Sequence, residues 1–595
     1  MSNALFVVEC LRIPRRAFYY VSFLPNDQLT GRIRDLPEEM RKWNNSKRAW
    51  EVSTMGLLRI IKMYRNSNKI YFDFGNIDLR NIFVNQIKKI EEAEFERERK
   101  LKELRDNKEK WLTYKSELEQ NFAEYSDLVH SYLIEGIKLY PHQIVASLFL
   151  NKTRSALLSH EMGLGKTLSS ILFVEMNTSF EKVVVITPNS LKYNYFNEVE
   201  KFTNSKAHIV GKKKNKYSIA DAKYIIFNYE YFNSAKNSLV KWKKLKIGVI
   251  NSLIFDECQQ LKNTSTNTYK NIKNIFEDDI FLDKKPSRIF MSGTPAPNRA
   301  HELFSILNFI SPIDFSTKKY FNEYYCGMSY DFMNGWGWVN GTAEQKLEEL
   351  YHKIAPFTHR VKKEDALKDL PDKSYQKLIM EMSDTNQKLY EEVEKGVVNE
   401  FLLNPTSNPL TIMLRLRQFT SSMKFDEIIE LVDTVIESGE KIVIVDVFKD
   451  SLIKLKEKYG ESAVLHIGDV DVEDRAEMVR IFQDPNSKIK VFLGSIQTCN
   501  YGLTLTAASK MIILTLPFSV GQYDQVADRL HRIGQKCAVN IYIPAFMDTI
   551  DEYVYASIES KRKEITKVMD NVDYESDITE SVLSEVMTKI KNKYK

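Results

Sequence analysis

From Leu139 onward, short apolar runs alternate with helical stretches, and this alternation constrains the fold more than any other feature of the chain. The runs are Val183–Thr187, Val249–Asp256, Arg288–Met291, Lys441–Asp446, Lys490–Gly494 and Met511–Leu516. A strand covered on both faces needs a continuous apolar run, and helices lying between such strands supply the covers. The expected fold class is therefore α/β, with the first three runs in one parallel sheet and the last three in another. A chain of 595 residues also exceeds what one hydrophobic core serves, so several domains are expected.

The segments before and between these runs differ in character. Residues 1–84 mix short strand-like runs with a Trp-containing stretch and read as a small α+β accessory domain. Residues 85–130 read as a charged helical spacer, because Lys88 to Glu124 is dense in Glu, Lys, Arg and Leu and holds neither Gly nor Pro. The first lobe is expected over 131–312 and a helical linker with insertions over 313–430. The second lobe is expected over 431–548, and a helix with a tail over 549–595. The composition, 43% hydrophobic and 28% charged, is that of a soluble globular protein, and no apolar run is long enough for a membrane span. At the N-terminus the apolar patch Leu5 to Val8 precedes Arg12, Arg15 and Arg16, the reverse of a signal peptide. Five scattered cysteines form no CxxC pair, which argues against a zinc site or a disulfide framework and for an intracellular, cytoplasmic setting. The net charge of +5 does not by itself announce nucleic acid, so a basic track must come from local arrangement.

Three stretches carry chemistry. The loop Met162-Gly163-Leu164-Gly165-Lys166-Thr167 follows an apolar run and opens a helix. Backbone N–H groups freed by glycine can curl around phosphates there, Lys166 can reach the β and γ phosphates of ATP, and Thr167 can hold Mg²⁺. The common pattern has Gly where this chain has His160, and a structural glycine turn is the competing reading. Asp256 and Glu257 end an apolar strand about 90 residues later, where Asp256 can hold Mg²⁺ and Glu257 can polarise an attacking water. Arg529 and Arg532 are three apart and so share a helix face. Supplied across a lobe interface, they can stabilise charge on the transferring phosphoryl group.

Together with Leu139-Tyr140-Pro141-His142-Gln143, Ser292-Gly293-Thr294-Pro295 and Gln525 to Gln535, these residues resemble helicase superfamily 2, specifically its Swi/Snf-type DNA translocases. The resemblance covers about residues 137–570 and implies two RecA-like lobes. It implies that Gln143 lies at the nucleotide base and that Thr187, Pro188, Asn228 and Tyr229 track DNA on the first lobe. Thr294 would link hydrolysis to DNA contact, and Thr504 and Thr506 would track DNA on the second lobe. Arg360 to Asp365 with Leu370-Pro371 resembles the family's interlobe linker, and Asp548 to Lys563 its closing brace helix. Cys258-Gln259 and Cys499-Asn500 depart from the Ala-His and Gly-Gly common in the family. A narrower likeness, carried by Tyr325-Cys326-Gly327, Gly335-Trp336-Gly337-Trp338 and Leu347-Glu348-Glu349-Leu350, is to the annealing-helicase branch. That branch implies an accessory domain that recognises branched DNA. Here Trp43 and Trp50 stand beside Arg41, Lys42, Lys47 and Arg48, and the two rings serve equally well as DNA contacts or as core.

The expected function is an ATP- and Mg²⁺-dependent DNA translocase, a monomer, acting on forked and four-way DNA. An RNA helicase and a non-catalytic nucleic-acid scaffold are the alternatives. The compact form and the many Lys and Asn residues suit a phage or other microbial source, with the host cytoplasm as the setting.

Overall fold

The computed structural model describes Asn121 to Val572 apart from 213, 234–241, 243, 277–281, 332–334, 339–343, 404–408 and 501–502. It describes most of Phe6 to Phe74, and 75–120 at scattered positions. The chain divides into two compact units, Met1–Asp106 and Asn107–Lys595. Most of the charged helix expected over 85–130 lies outside the described residues, and its end is the helix Phe122–His130.

The first unit is built on a five-stranded sheet in the order Arg41–Asn44, Ala49–Ser53, Phe18–Ser22, Phe6–Arg12, Ile70–Asp73. The last pair is parallel and the other pairs are antiparallel. One face buries Val8, Cys10, Tyr19, Val21 and Val52 against Leu29 and Ile33 of the helix Asp27–Arg34. The alternation exposed–buried along Val7 to Leu11 follows from the two-residue period of a strand.

In the second unit the first lobe is an all-parallel seven-stranded sheet. Its order is Thr358–Val361, Ser155–His160, Leu282–Met291, Ile250–Asp256, Val183–Thr187, Tyr224–Asn228, Ala207–Ile209. Alternate residues of each strand enter opposite cores. Leu157, Val184, Ile186 and Phe255 join one cluster, and Ala156, Leu158, Val183, Val185 and Ile254 join the other. Burying each such side chain stabilises by about 1.5–3 kcal/mol before entropy is counted. The second lobe is an all-parallel six-stranded sheet in the order Lys373–Met380, Val539–Phe546, Lys510–Ile513, Ile442–Asp446, Val491–Ser495, Ala463–His466. Two RecA-like lobes are thus present, with helices on both faces of each sheet.

The segment 313–430, expected to be helical linker and insertions, also holds strands, among them the antiparallel pair Met328–Asp331 and Gly335–Trp338. It contributes an edge strand to each sheet, Thr358–Val361 to the first and Lys373–Met380 to the second. Both are half-buried and carry several polar residues, so they lack the apolar run that marks an interior strand. The helix Ile550–Asp570 then crosses back. Ile550, Val554 and Ile558 pack in the second lobe's core, while Val568 and Met569 pack in the first lobe's.

Candidate nucleotide site and nucleic-acid interface

The strand Ser155–His160 runs into the glycine loop, which opens the helix Lys166–Met176. Gly163 and Gly165 have φ of 84° and 74°, a region that disfavours side chains. A Cβ on Gly165 would also collide with the Gln143 amide. The Lys166 ammonium turns into the loop and donates to the carbonyls of His160 at 2.9 Å and Glu161 at 3.3 Å. Burial lowers its pKa, while Glu257 and Asp256 oppose that shift. Gln143 is buried, and both ends of its amide hold backbone. Its Oε1 accepts from Tyr140 N at 3.1 Å and its Nε2 donates to Leu164 O at 3.3 Å. It therefore braces the loop, and a second Nε2 hydrogen and a second Oε1 lone pair are left for a base.

Asp256 ends the strand Ile250–Asp256, and Glu257 follows with φ of 49°. Burial, and then the neighbouring Glu257, push the Asp256 carboxyl up to about 7. Two adjacent buried carboxylates of this kind are relieved by a cation. The Thr167 hydroxyl and the Asp256 carboxylate are oxygen donors, the kind that Mg²⁺ takes together with water and phosphates. Among the described residues, no group of three or more His, Cys, Asp or Glu forms such a cage. The Cys258-Gln259 departure has a visible consequence, because Gln259 Nε2 donates to Glu257 Oε2 at 2.7 Å and fixes that carboxylate.

Arg529 and Arg532 come from the opposite lobe. Arg529 is buried, with Nη2 on the Asn500 carbonyl and 3.8 Å from Met162 Sδ in the phosphate loop. Burial, then the charge of Arg532, lower its pKa to about 9. Arg532 Nε donates to Asp528 O at 3.1 Å, and its side chain lies against Gly163, where an added Cβ would meet Arg532 Cγ at 3.6 Å. The departure at Cys499-Asn500 leaves the chain well packed. A Cβ on Gly494 would collide with Cys499 Sγ, and the Asn500 carbonyl holds Arg529.

The residues expected on DNA divide differently. Thr187 is fully buried and donates to Asp256 Oδ2 at 2.9 Å, and the Tyr229 hydroxyl donates to Asp256 O at 2.8 Å. Both side chains therefore position the acid. Pro188 is buried and Asn228 is half-buried, its Nδ2 3.4 Å from Asn189 Oδ1, whereas Asn189 and Ser190 are exposed beside them. Thr294 Oγ1 accepts from Gln525 Nε2 at 3.0 Å across the lobes. Thr504 Oγ1 is 3.4 Å from Arg532 Nη1, and Thr506 Oγ1 accepts from Gln483 at 3.2 Å. In the first unit Trp43 is 46% exposed and meets Trp50 edge-on at 5.2 Å, while Trp50 packs against the core.

Sequence reasoning missed a charged knot between linker and second lobe. Lys363 and Lys373 each lie 2.9 Å from Asp528 Oδ1, and Lys363 Nζ also donates to His531 O at 2.7 Å. Burial alone would raise the Asp528 carboxyl, but Lys373 and Lys363 outweigh it and hold it well below the ordinary range. The one available signal was the position of Asp528 between the glutamine and the arginines, on the same turn.

Comparisons with known proteins bear on the family. The SNF2-related domain family matches residues 58–425, and the helicase conserved C-terminal domain matches residues 423–534. An uncharacterized ATP-dependent helicase of Mycoplasma pneumoniae is 26% identical over 483 residues, covering 76% of this chain and 44% of that protein. The DNA annealing helicase and endonuclease ZRANB3 of Bos taurus is 24% identical over 438 residues, covering 71% and 40%. The chromatin structure-remodeling complex subunit snf21 of Schizosaccharomyces pombe is 25% identical over 494 residues, covering 72% and 39%. The chain spans less than half the length of these relatives. The Sulfolobus solfataricus SWI2/SNF2 ATPase core in complex with dsDNA is similar at a TM-score of 0.35 and 21% identity, covering 77% of this chain and 96% of that one. With the SNF2-related domain spanning more than half of its length and a helicase C-terminal domain following, the chain belongs to the SNF2-related family of two-lobed, helicase-type ATPases.

Proposed function

We propose that the chain is an ATP-driven DNA translocase that remodels branched DNA, by fork regression, branch migration, annealing or unwinding. The observation that carries the ATP-driven step is the facing of Arg529 and Arg532 from the second lobe onto the loop of Lys166 and the acids of the first. In this reading Lys166 binds the β and γ phosphates, Glu257 orients water, and Asp256 and Thr167 hold Mg²⁺. Bound there, Mg²⁺ would neutralise charge developing on the phosphates. Arg532 reaches the transferring group only when the lobes close, so occupancy and closure are one event.

DNA as the track is supported by the names of the relatives, among them a DNA annealing helicase and a chromatin-remodelling subunit. Exposed Asn189 and Ser190 beside Asn228 offer backbone contacts on the first lobe. Such contacts position a protein on DNA without reading its sequence. For the first unit, Trp43 with Arg41 and Lys42 is the candidate branch reader, since its ring is open to stacking. Trp50 supports it from the core side.

ATP turnover measured with single-stranded, duplex, forked and four-way DNA, alongside duplex RNA, tests this reading. Stimulation by DNA and not by RNA, largest on branched forms, is the expected result. Equal turnover with every nucleic acid or with none would sink it.

A further inference from the structure

Arg360 is a cation that the mechanism above does not use. Arg360 stands on the edge strand Thr358–Val361, beside the strand that feeds the phosphate loop. Its Nη1 donates to the carbonyl of Ser159 at 3.1 Å and to that of Gly293 at 3.2 Å. Its Nε donates to Asp570 Oδ1 at 3.1 Å, and its Nη2 lies 3.5 Å from Glu161 Oε1. One guanidinium thus joins the entrance of the phosphate loop, the Ser292–Pro295 turn and the last residue of the helix Ile550–Asp570.

That helix is anchored in both lobes. On the second lobe Lys561 donates to Phe518 O and Arg562 pairs with Asp524 at 2.8 Å. On the first, Glu564 is 4% exposed and accepts from Ala300 N at 2.7 Å and from Arg299 Nη1 at 2.8 Å. Ile565 packs against the cores of both lobes. The first turn of the helix holds the second lobe through Asp551 on Lys424 and Glu552 on Lys377, its last turns hold the first lobe through Glu564, and Asp570 is its final grip. One continuous helix thus joins the second lobe to Asp570.

We propose that Arg360 and Asp570 are positioning residues through which docking of the helix Ile550–Asp570 sets the geometry of the phosphate loop and the Ser292–Pro295 turn for hydrolysis. Nη1 on the two backbone carbonyls and Nε on the Asp570 carboxylate make a fork of donors, which fixes the carbonyls relative to each other and the guanidinium relative to both. Without Asp570 the guanidinium keeps its carbonyls but loses its orientation. Lys166 and Gly165 still bind ATP, while the alignment needed for transfer is degraded. A misplacement of about 1 Å that begins away from the chemistry can cost up to about 10²-fold in rate.

The inference rests on the ATPase reading, and one experiment separates the two. The full chain, Asp570→Asn, Asp570→Glu and Arg360→Lys are assayed for ATP kcat and KM with saturating duplex DNA, with thermal midpoints measured in parallel. The expected result is an about 10-fold lower kcat for Asp570→Asn with KM within about twofold, and recovery of most of the kcat in Asp570→Glu. Arg360→Lys, which cannot form the fork, should behave like Asp570→Asn. If the wild-type chain shows no DNA-stimulated turnover, the ATPase reading fails. If the wild type turns over and Asp570→Asn matches it, the positioning role is wrong. Asp570→Glu with a restored thermal midpoint but unrestored kcat would also overturn it, because the pair would then be structural only.

Discussion

Lys166, Glu257 and Arg532 do different things to one reaction, and their variants should separate accordingly. Lys166→Ala removes the cation on the phosphates, and Glu257→Gln keeps the site's shape but cannot activate water. Both should lose DNA-stimulated turnover by roughly 10³-fold or more, with nucleotide binding weakened only in Lys166→Ala. Arg532→Ala should leave ATP affinity within a modest factor while turnover falls roughly 10³-fold, as single-turnover and binding measurements would show. Asp528 sets a different expectation, one of stability. Its removal strands Lys363, which is buried, so Asp528→Ala should destabilise the chain by about 3–5 kcal/mol in a denaturant titration. A carboxyl held low in the folded state contributes stability at pH values above its unfolded pKa near 4. That contribution should be lost in the wild type as pH falls below about 4, and be missing from Asp528→Ala at all pH. At this scale the glycine loop, the paired acids and the two arginines were legible as members of one candidate site, because each is a short local pattern whose chemistry fixes its residue types. The inward turn of Thr187 and Tyr229 onto Asp256 was not legible, since a hydroxyl near a strand's end looks the same whether it meets DNA, a carboxylate 69 positions away or a backbone carbonyl 27 positions away.

Among the elements, the strands that were legible are those that alternate between two cores. Val183–Thr187 and Ile442–Asp446 are buried at every residue, so their sequences admit few other states. Lys373–Met380 escaped notice for the opposite reason. It is an edge strand whose side chains are mostly half-exposed, and its sequence carries Lys, Ser, Gln and Lys. The helix Val520–Ala527 shows what holds the lobes together. Gly521 N donates to Pro297 O at 3.0 Å, and a Cβ on Gly521 would lie 2.7 Å from Pro297 Cβ and 3.3 Å from Thr294 Oγ1. Gly521→Ala should therefore push this helix off the turn that carries Thr294. The expected result is a loss of about 1–3 kcal/mol in stability, with DNA-stimulated turnover falling more than ATP affinity. A thermal midpoint unchanged from wild type would show that the interface yields without strain.

The whole molecule joins a mostly antiparallel α+β unit to a two-lobed parallel one, and the two should be separable by function. Deleting residues 1–80 should leave duplex-stimulated ATP turnover largely intact while fork regression and four-way branch migration drop sharply. A truncated chain that processes forks as well as the intact one would remove branch recognition from the first unit. One that is folded but lacks all turnover would make that unit part of the motor. That a small α+β unit precedes the alternating part could be read from where the strand–loop–helix alternation begins, whereas the chain divides after Asp106 rather than at residue 84. Which face of the small domain is open could not, because Trp50 and Trp43 share one side of a sheet and differ only in how near the edge they stand.

The return of Val568 and Met569 to the first lobe's core has a consequence for how the protein is made. On a ribosome the sheet of the first lobe can close once Thr358–Val361 has emerged, yet its core lacks these two side chains until about 200 residues later. At ~5–20 residues per second that interval is roughly 10–40 s, during which the second lobe folds beside a first lobe with an open apolar seam. Synthesis thus passes through a stage in which a chaperone's hold on that seam and the arrival of the final helix compete for the same surface.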